Sequence, residues 1–196
     1  MIKRYWVHYG AQRIFFFFND DKFFNLYDPR NETLSKFNYF IRNMILDGSP
    51  PEEYFIPHKT SRASATPEIK RDLVEVPCRY GKIIREALQY QGKRQRHYVV
   101  LKALVESVET NFVMCELPLW TENGETTGHV DLIEISRDKP PYIWIWDLKP
   151  FSSQTGHTHY TGQLEMYRVM LGQHLNVDFR NIGLGWFDDV QETTIW

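Results

Sequence analysis

Short apolar and aromatic blocks recur along the chain, at strand spacing near both ends and at helical spacing between them. Ile2–His8 and Arg13–Phe18 are β-branched and aromatic, and Tyr9-Gly10 between them predicts a turn joining two strands. Asn19-Asp20-Asp21-Lys22 reads as a second turn and Phe23–Tyr27 as a third short strand. The run Phe15–Phe18 predicts a strand buried on both faces; the alternative, a platform on which nucleic-acid bases stack, requires exposed rings. Over residues 33–46, Phe37, Phe40, Ile41, Met44 and Ile45 recur at three- and four-residue steps and predict a helix. Asn31 is its N-cap, and Asp47-Gly48-Ser49-Pro50-Pro51 its stop. Pro57–Pro67 is a polar loop carrying His58, Lys59 and Arg62, either a solvated connector or a DNA-contacting segment.

Two further helices are expected over Gly81–Gln91 and from Gln95 to Glu109, the second with the apolar stripe Tyr98, Leu101, Leu104, Val105 and Val108. Between them lies the densest basic run, Gln91-Gly92-Lys93-Arg94-Gln95-Arg96-His97. A mixed sheet is then predicted from Asn111–Leu119, His129–Ser136, Tyr142–Lys149, Ile182–Phe187 and Glu192–Trp196, with a Gly162–Leu171 helix as the crossover to Ile182. The register of two of these strands follows from pairing their isoleucines. A hairpin pivoting at Lys139 sets Ile135 opposite Ile143, Ile133 opposite Ile145, and Asp131 opposite Asp147. Like charges facing each other on a sheet are destabilising, and a divalent cation between them reverses that sign. Lys149, two residues beyond Asp147, shares its face.

Composition narrows the class. The 196 residues suit one domain, at most with an appendage, and 42% hydrophobic content excludes wholesale disorder. A net charge of −2 excludes a polybasic nucleic-acid binder while permitting a local basic groove. Cys78 and Cys115 are too few for a four-thiolate zinc site or an iron–sulfur cluster, and a reduced, cytoplasmic protein is expected. The first residues lack signal-peptide architecture, and no apolar run is long enough to predict a membrane span.

Two carboxylates and a lysine on one face at a sheet end can hold Mg²⁺ or Mn²⁺, lower the pKa of a bound water and stabilise charge developing on a phosphate. That is the chemistry of phosphodiester hydrolysis. Gly128-His129-Val130-Asp131, then Asp147-Leu148-Lys149, then Gln163-Leu164-Glu165-Met166-Tyr167 form a series that resembles the PD-(D/E)XK nuclease superfamily. The order Gly-x-x-Asp, Asp-x-Lys, Gln-x-x-x-Tyr looks like the branch of RecB-like and Holliday-junction-resolvase-like nucleases, over roughly residues 81–190. The compact form resembles small nucleases of archaea and their viruses.

The resemblance implies an α/β fold: a mixed central sheet flanked by helices in residues 76–196, with residues 1–75 as a β-rich extension carrying one helix. It implies Asp131, Asp147, Lys149, Gln163 and Tyr167 as catalytic residues. It implies His97, Asp131, Asp147 and the Leu148 carbonyl as metal ligands, with Glu86 or Glu106 as the alternative ligand from a helix. Lys93, Arg94 and Arg96 are the expected DNA contacts, and Lys59, Arg62, Lys70 and Arg71 the fallback path. Glu116 is either near the site or a solvent-facing strand residue, and His157 and His159 contact DNA or have no role. The expected function is a Mg²⁺- or Mn²⁺-dependent deoxyribonuclease without an iron–sulfur cluster; the alternative is a non-catalytic DNA-binding or assembly protein retaining the fold. DNA is the expected partner, a homodimer is left open, and no membrane is involved.

Overall fold

The computed structural model describes residues 2–9, 12–47, 61–89, 96–137, 139–149 and 160–196, with side chains from residue 16 onward apart from that of residue 96. The N-terminal hairpin is β1 (Ile2–Tyr9) and β2 (Gln12–Asn19). The expected turn and third strand at residues 19–27 are instead one helix, α1 (Asp20–Leu26). Its cause is local: the Asn19 side chain accepts from the Lys22 amide, and Asp20 and Asp21 occupy the positive end of the helix. Aromatic content suggested a strand, yet Phe23 is buried while Phe24 stands exposed, as on a helix with one face inward.

The next helix, α2 (Glu32–Phe40), continues as a π-helical turn over Ile41–Leu46, and Asn31 caps it by accepting from the Leu34 amide. Then come β3 (Ser61–Arg62), β4 (Leu73–Pro77), α3 (Gly81–Gln89) and α4 (Arg96–Glu106). Val108, expected on the inner stripe of α4, lies beyond the helix end and is fully exposed. The remaining elements are β5 (Phe112–Trp120), β6 (Thr126–Ile135), β7 (Ile143–Leu148), α5 (Thr161–Leu175), β8 (Ile182–Phe187) and β9 (Gln191–Ile195).

Among the described residues all nine strands belong to one sheet of order β1-β2-β5-β6-β7-β8-β9-β4, with β3 beside β6 off that path. The β7–β8 and β3–β6 pairs are parallel and the others antiparallel, so the fold is α/β with a mixed sheet. The α5 helix makes the crossover that parallel pairing of β7 and β8 demands. The N-terminal hairpin adds to the sheet through Phe17↔Cys115 and Phe18↔Met114, and β4 closes the far edge against β9.

Helices cover both faces. One face packs Phe16, Phe37, Ile133, Ile145 and Leu164 beneath α2 and α5; the other packs Phe17, Ile84, Leu101, Trp146 and Phe187 beneath α3 and α4. Phe16, Phe17 and Phe18 are wholly buried, so β2 is an interior strand and those rings are no base-stacking platform. Residues 61–62 of the polar loop are not mere connector, since they pair with Thr126 and Thr127.

Candidate metal centre

The site lies where β6 outruns its neighbour. Its residues 132–135 pair with β7 and its residues 126–127 with β3. Gly128 to Asp131 fall between these two pairings, at an opening on that edge of the sheet. The isoleucine register is as expected, Ile133↔Ile145 and Ile135↔Ile143, and pairing runs to Leu132↔Trp146. One step further the Asp131 carboxylate itself takes up the β7 backbone: its Oδ2 accepts from the Leu148 amide at 2.9 Å.

On the other edge, Cys115↔Leu132 and Leu117↔Val130 place Glu116 across from Asp131. Glu116 has φ 58°, a left-handed conformation that costs a side-chain-bearing residue about 1–2 kcal/mol. The consequence is a change of phase. Cys115 and Leu132 pack on the α3–α4 face, but Leu117 and Val130, two residues along, pack on the α5 face. Strand irregularities of this kind re-aim side chains. Here the two acids sit at the crossing point, and α4 delivers His97 to them from its first turn. His97 Nε2 is 3.3 Å from Asp131 Oδ2. One ligand atom from each of His97, Glu116 and Asp131 lies within 4.8 Å of the others. Two carboxylate oxygens and an imidazole nitrogen within that span suit a divalent cation, with the imidazole favouring Mn²⁺ over Mg²⁺.

Asp147 lies beside this trio, buried, and Lys149 ion-pairs with its Oδ2. Burial, then the negative Asp131 alongside, pushes the Asp147 carboxyl up to about 7 despite Lys149. Burial followed by the charge of Asp131 likewise raises Glu116 to about 7. Asp131 goes the other way: burial would raise it, but the His97 hydrogen bond, the Leu148 amide and Lys149 together hold it below its ordinary value. His97 is raised, because Asp131, Glu116 and Asp147 outweigh its burial. Negative charge is thus crowded into a small volume and partly held off by protons, which a divalent cation would displace.

The α5 helix forms the adjoining wall. Gln163 Nε2 donates to the Tyr167 hydroxyl at 3.0 Å, and Tyr167 lies near enough to feel Asp147 and Asp131. Gly128 makes room for that ring: a Cβ there would stand 2.6 Å from Tyr167 Cε1 and 3.2 Å from Ala63 Cβ. The Gly-x-x-Asp spacing therefore has a packing reason, with the glycine admitting α5 three residues from the carboxylate.

Of the helical ligand candidates, His97 is the one brought against Asp131. Glu86 is exposed, and Glu106 pairs with Lys102 at 3.5 Å. At Leu148, the contact is the amide N–H donated to Asp131. Glu116 joins the cluster although alternation alone left its place open. The available signal was its solitude, as the one charged residue in the otherwise apolar strand Phe112–Trp120. Lys93, Arg94, Lys59, His157 and His159 lie outside the described residues, and of Arg96 only the backbone, which opens α4, is described. Arg71 is engaged by Glu165 at 2.6 Å, whereas Arg62 on β3 is exposed and its charge is felt at His129. No protein-family model, curated protein or solved structure matches the chain. Among the described residues no helix is long and apolar enough to cross a membrane.

Proposed function

We propose that the protein is a divalent-metal-dependent deoxyribonuclease of the PD-(D/E)XK type, with a RecB-like or resolvase-like core. The observation that carries this reading is the convergence of His97, Glu116 and Asp131 on one point, next to the Asp147–Lys149 ion pair. A bound Mg²⁺ or Mn²⁺ would supply Lewis acidity and a water of lowered pKa. His97, Glu116 and Asp131 are the residues that would hold it, with Asp147 adjoining. Lys149 presents a cation to a phosphate entering the opening, and its ammonium can orient the attacking water or stabilise charge developing on the phosphoryl oxygens. The Gln163–Tyr167 pair lines the wall along which the backbone would lie. The basic run at Lys93, Arg94 and Arg96 leads directly into His97 in the sequence and is proposed to draw the phosphates in; Arg62 on β3 adds an exposed cation whose charge reaches His129. Both cysteines are free, which accords with a cytoplasmic location.

The test is cleavage of linear, nicked and branched DNA in Mg²⁺ or Mn²⁺, with chelator and an Asp147→Ala protein as controls. Cleavage that requires the metal and disappears in Asp147→Ala is the expected result. DNA binding with no cleavage in any divalent cation would overturn the proposal in favour of a non-catalytic DNA-binding protein.

A further inference from the structure

We propose that Tyr160 is a positioning residue for Lys149, using the face of its ring to hold the ammonium at the site; the inference rests on the nuclease reading above. The Lys149 Nζ lies 4.3 Å from the centroid of the Tyr160 ring, with the Asp147 carboxylate as its other partner. An ammonium at that distance over an aromatic face is attracted by the ring quadrupole, the more so where water is scarce.

The ring is itself fixed. Tyr160 directly precedes α5, and its ring meets Trp186 at 5.9 Å and 64°, an edge contact. Trp186 is buried on β8 and is the register partner of Asp147 on β7. A closed circuit results: β7 carries Asp147 and leads to Lys149, β8 carries Trp186 beside Asp147, Trp186 steadies Tyr160, and Tyr160 faces Lys149.

The Asp147 carboxylate and the Tyr160 ring contact the ammonium together, and two contacts restrict its swing more than either does alone. The ring also refers Lys149 to α5, the helix that carries Gln163 and Tyr167, so lysine and wall keep a common geometry.

Two measurements test this. The first uses metal-free protein and needs no activity. Proton–carbon spectra of lysine ε-methylenes, with the Lys149 signal identified by its loss in Lys149→Arg, should show that signal shifted upfield by the ring. The shift should persist in Tyr160→Phe and vanish in Tyr160→Leu. The second is single-turnover DNA cleavage with phenylalanine and its mono-, di- and trifluorinated analogues at position 160. These keep the shape of the side chain and progressively cancel the quadrupole.

The rate should fall stepwise with fluorination and by about 5- to 30-fold overall, with DNA affinity unchanged. A flat fluorination series, a Phe variant as impaired as the Leu variant, or a Lys149 signal indifferent to Tyr160 would each overturn the proposal. Because the fluorinated series preserves packing, a Leu variant that fails to fold does not rescue it. Absence of cleavage by the unsubstituted protein would instead refute the nuclease reading, and the spectra would still decide where the ammonium sits.

Discussion

Replacing Glu116 by glutamine keeps the side chain's length and its left-handed backbone but removes the charge that burial and Asp131 resist. The folded-state pKa of Glu116 is about 7 against an ordinary 4.5. A group raised in this way binds its proton more tightly when folded, so its stabilising contribution is complete below about pH 4.5 and is lost as pH rises through about 7. At about 1.4 kcal/mol per unit, the loss between pH 5 and pH 8 is on the order of 2–3 kcal/mol. The Gln variant does not titrate there. Measured in chelator, its stability relative to the parent should therefore improve by that amount from pH 5 to pH 8. For a chain of this size that corresponds to roughly 4–12 °C in melting temperature. Metal should act in the opposite sense. At a hundred times its Kd, Mn²⁺ should stabilise the parent by about 2.7 kcal/mol, and the variant, lacking one ligand, should gain much less at the same concentration. Thermal melts at both pH values, with and without Mn²⁺, make the measurement. Parallel pH dependence of parent and variant, or equal stabilisation by Mn²⁺, would refute the assignment of Glu116 to a crowded metal-binding cluster.

His97→Ala should lower Mn²⁺ affinity more than Mg²⁺ affinity in titration calorimetry, because the imidazole favours the softer ion; an equal loss would place His97 outside the ligand set. Lys149→Ala should slow single-turnover cleavage by about 10²-fold or more while leaving DNA affinity nearly unchanged, and a collapse of affinity at constant bound-state rate would make it a phosphate anchor instead. Gly128→Ala sets a methyl 2.6 Å from the Tyr167 ring and should cost about 1–3 kcal/mol in urea denaturation, recovered in part when Tyr167 is shortened to leucine. Lys22 donates to the Val105 and Ser107 carbonyls at 2.7 and 2.6 Å, closing the end of α4, and Lys22→Met should lower stability by about 2 kcal/mol, checked by the denaturation midpoint at constant slope.

Much of the central sheet was determined by sequence alone, because side-chain direction in a strand repeats every second residue. The isoleucines at 133, 135, 143 and 145 must all face one core, and that requirement sets the β6–β7 register as far as Leu132↔Trp146; the expected Asp131↔Asp147 pairing lies beyond it, where Asp131 accepts from the Leu148 amide and stands close enough to Asp147 to raise its pKa. Asn31 as a helix cap and the α5 crossover are legible for the same reason: each depends on a few neighbouring residues. What tertiary structure decided is where local rules compete or fall silent. The aromatics at 23–27 have strand propensity, but the Asn19 cap and the acids behind it, together with a single inward face at Phe23, make the segment a helix. No periodicity foretells that Glu116 adopts φ 58° at the point where the sheet changes phase between its two cores. The approach of His97 to Asp131 depends on how α4 lies across the sheet, and the raised pKa values of Glu116 and Asp147 depend on burial and on a neighbour from another strand. Periodicity orients each side chain on its own element; the distance between charges on different elements is set only when the whole sheet and its helices have packed.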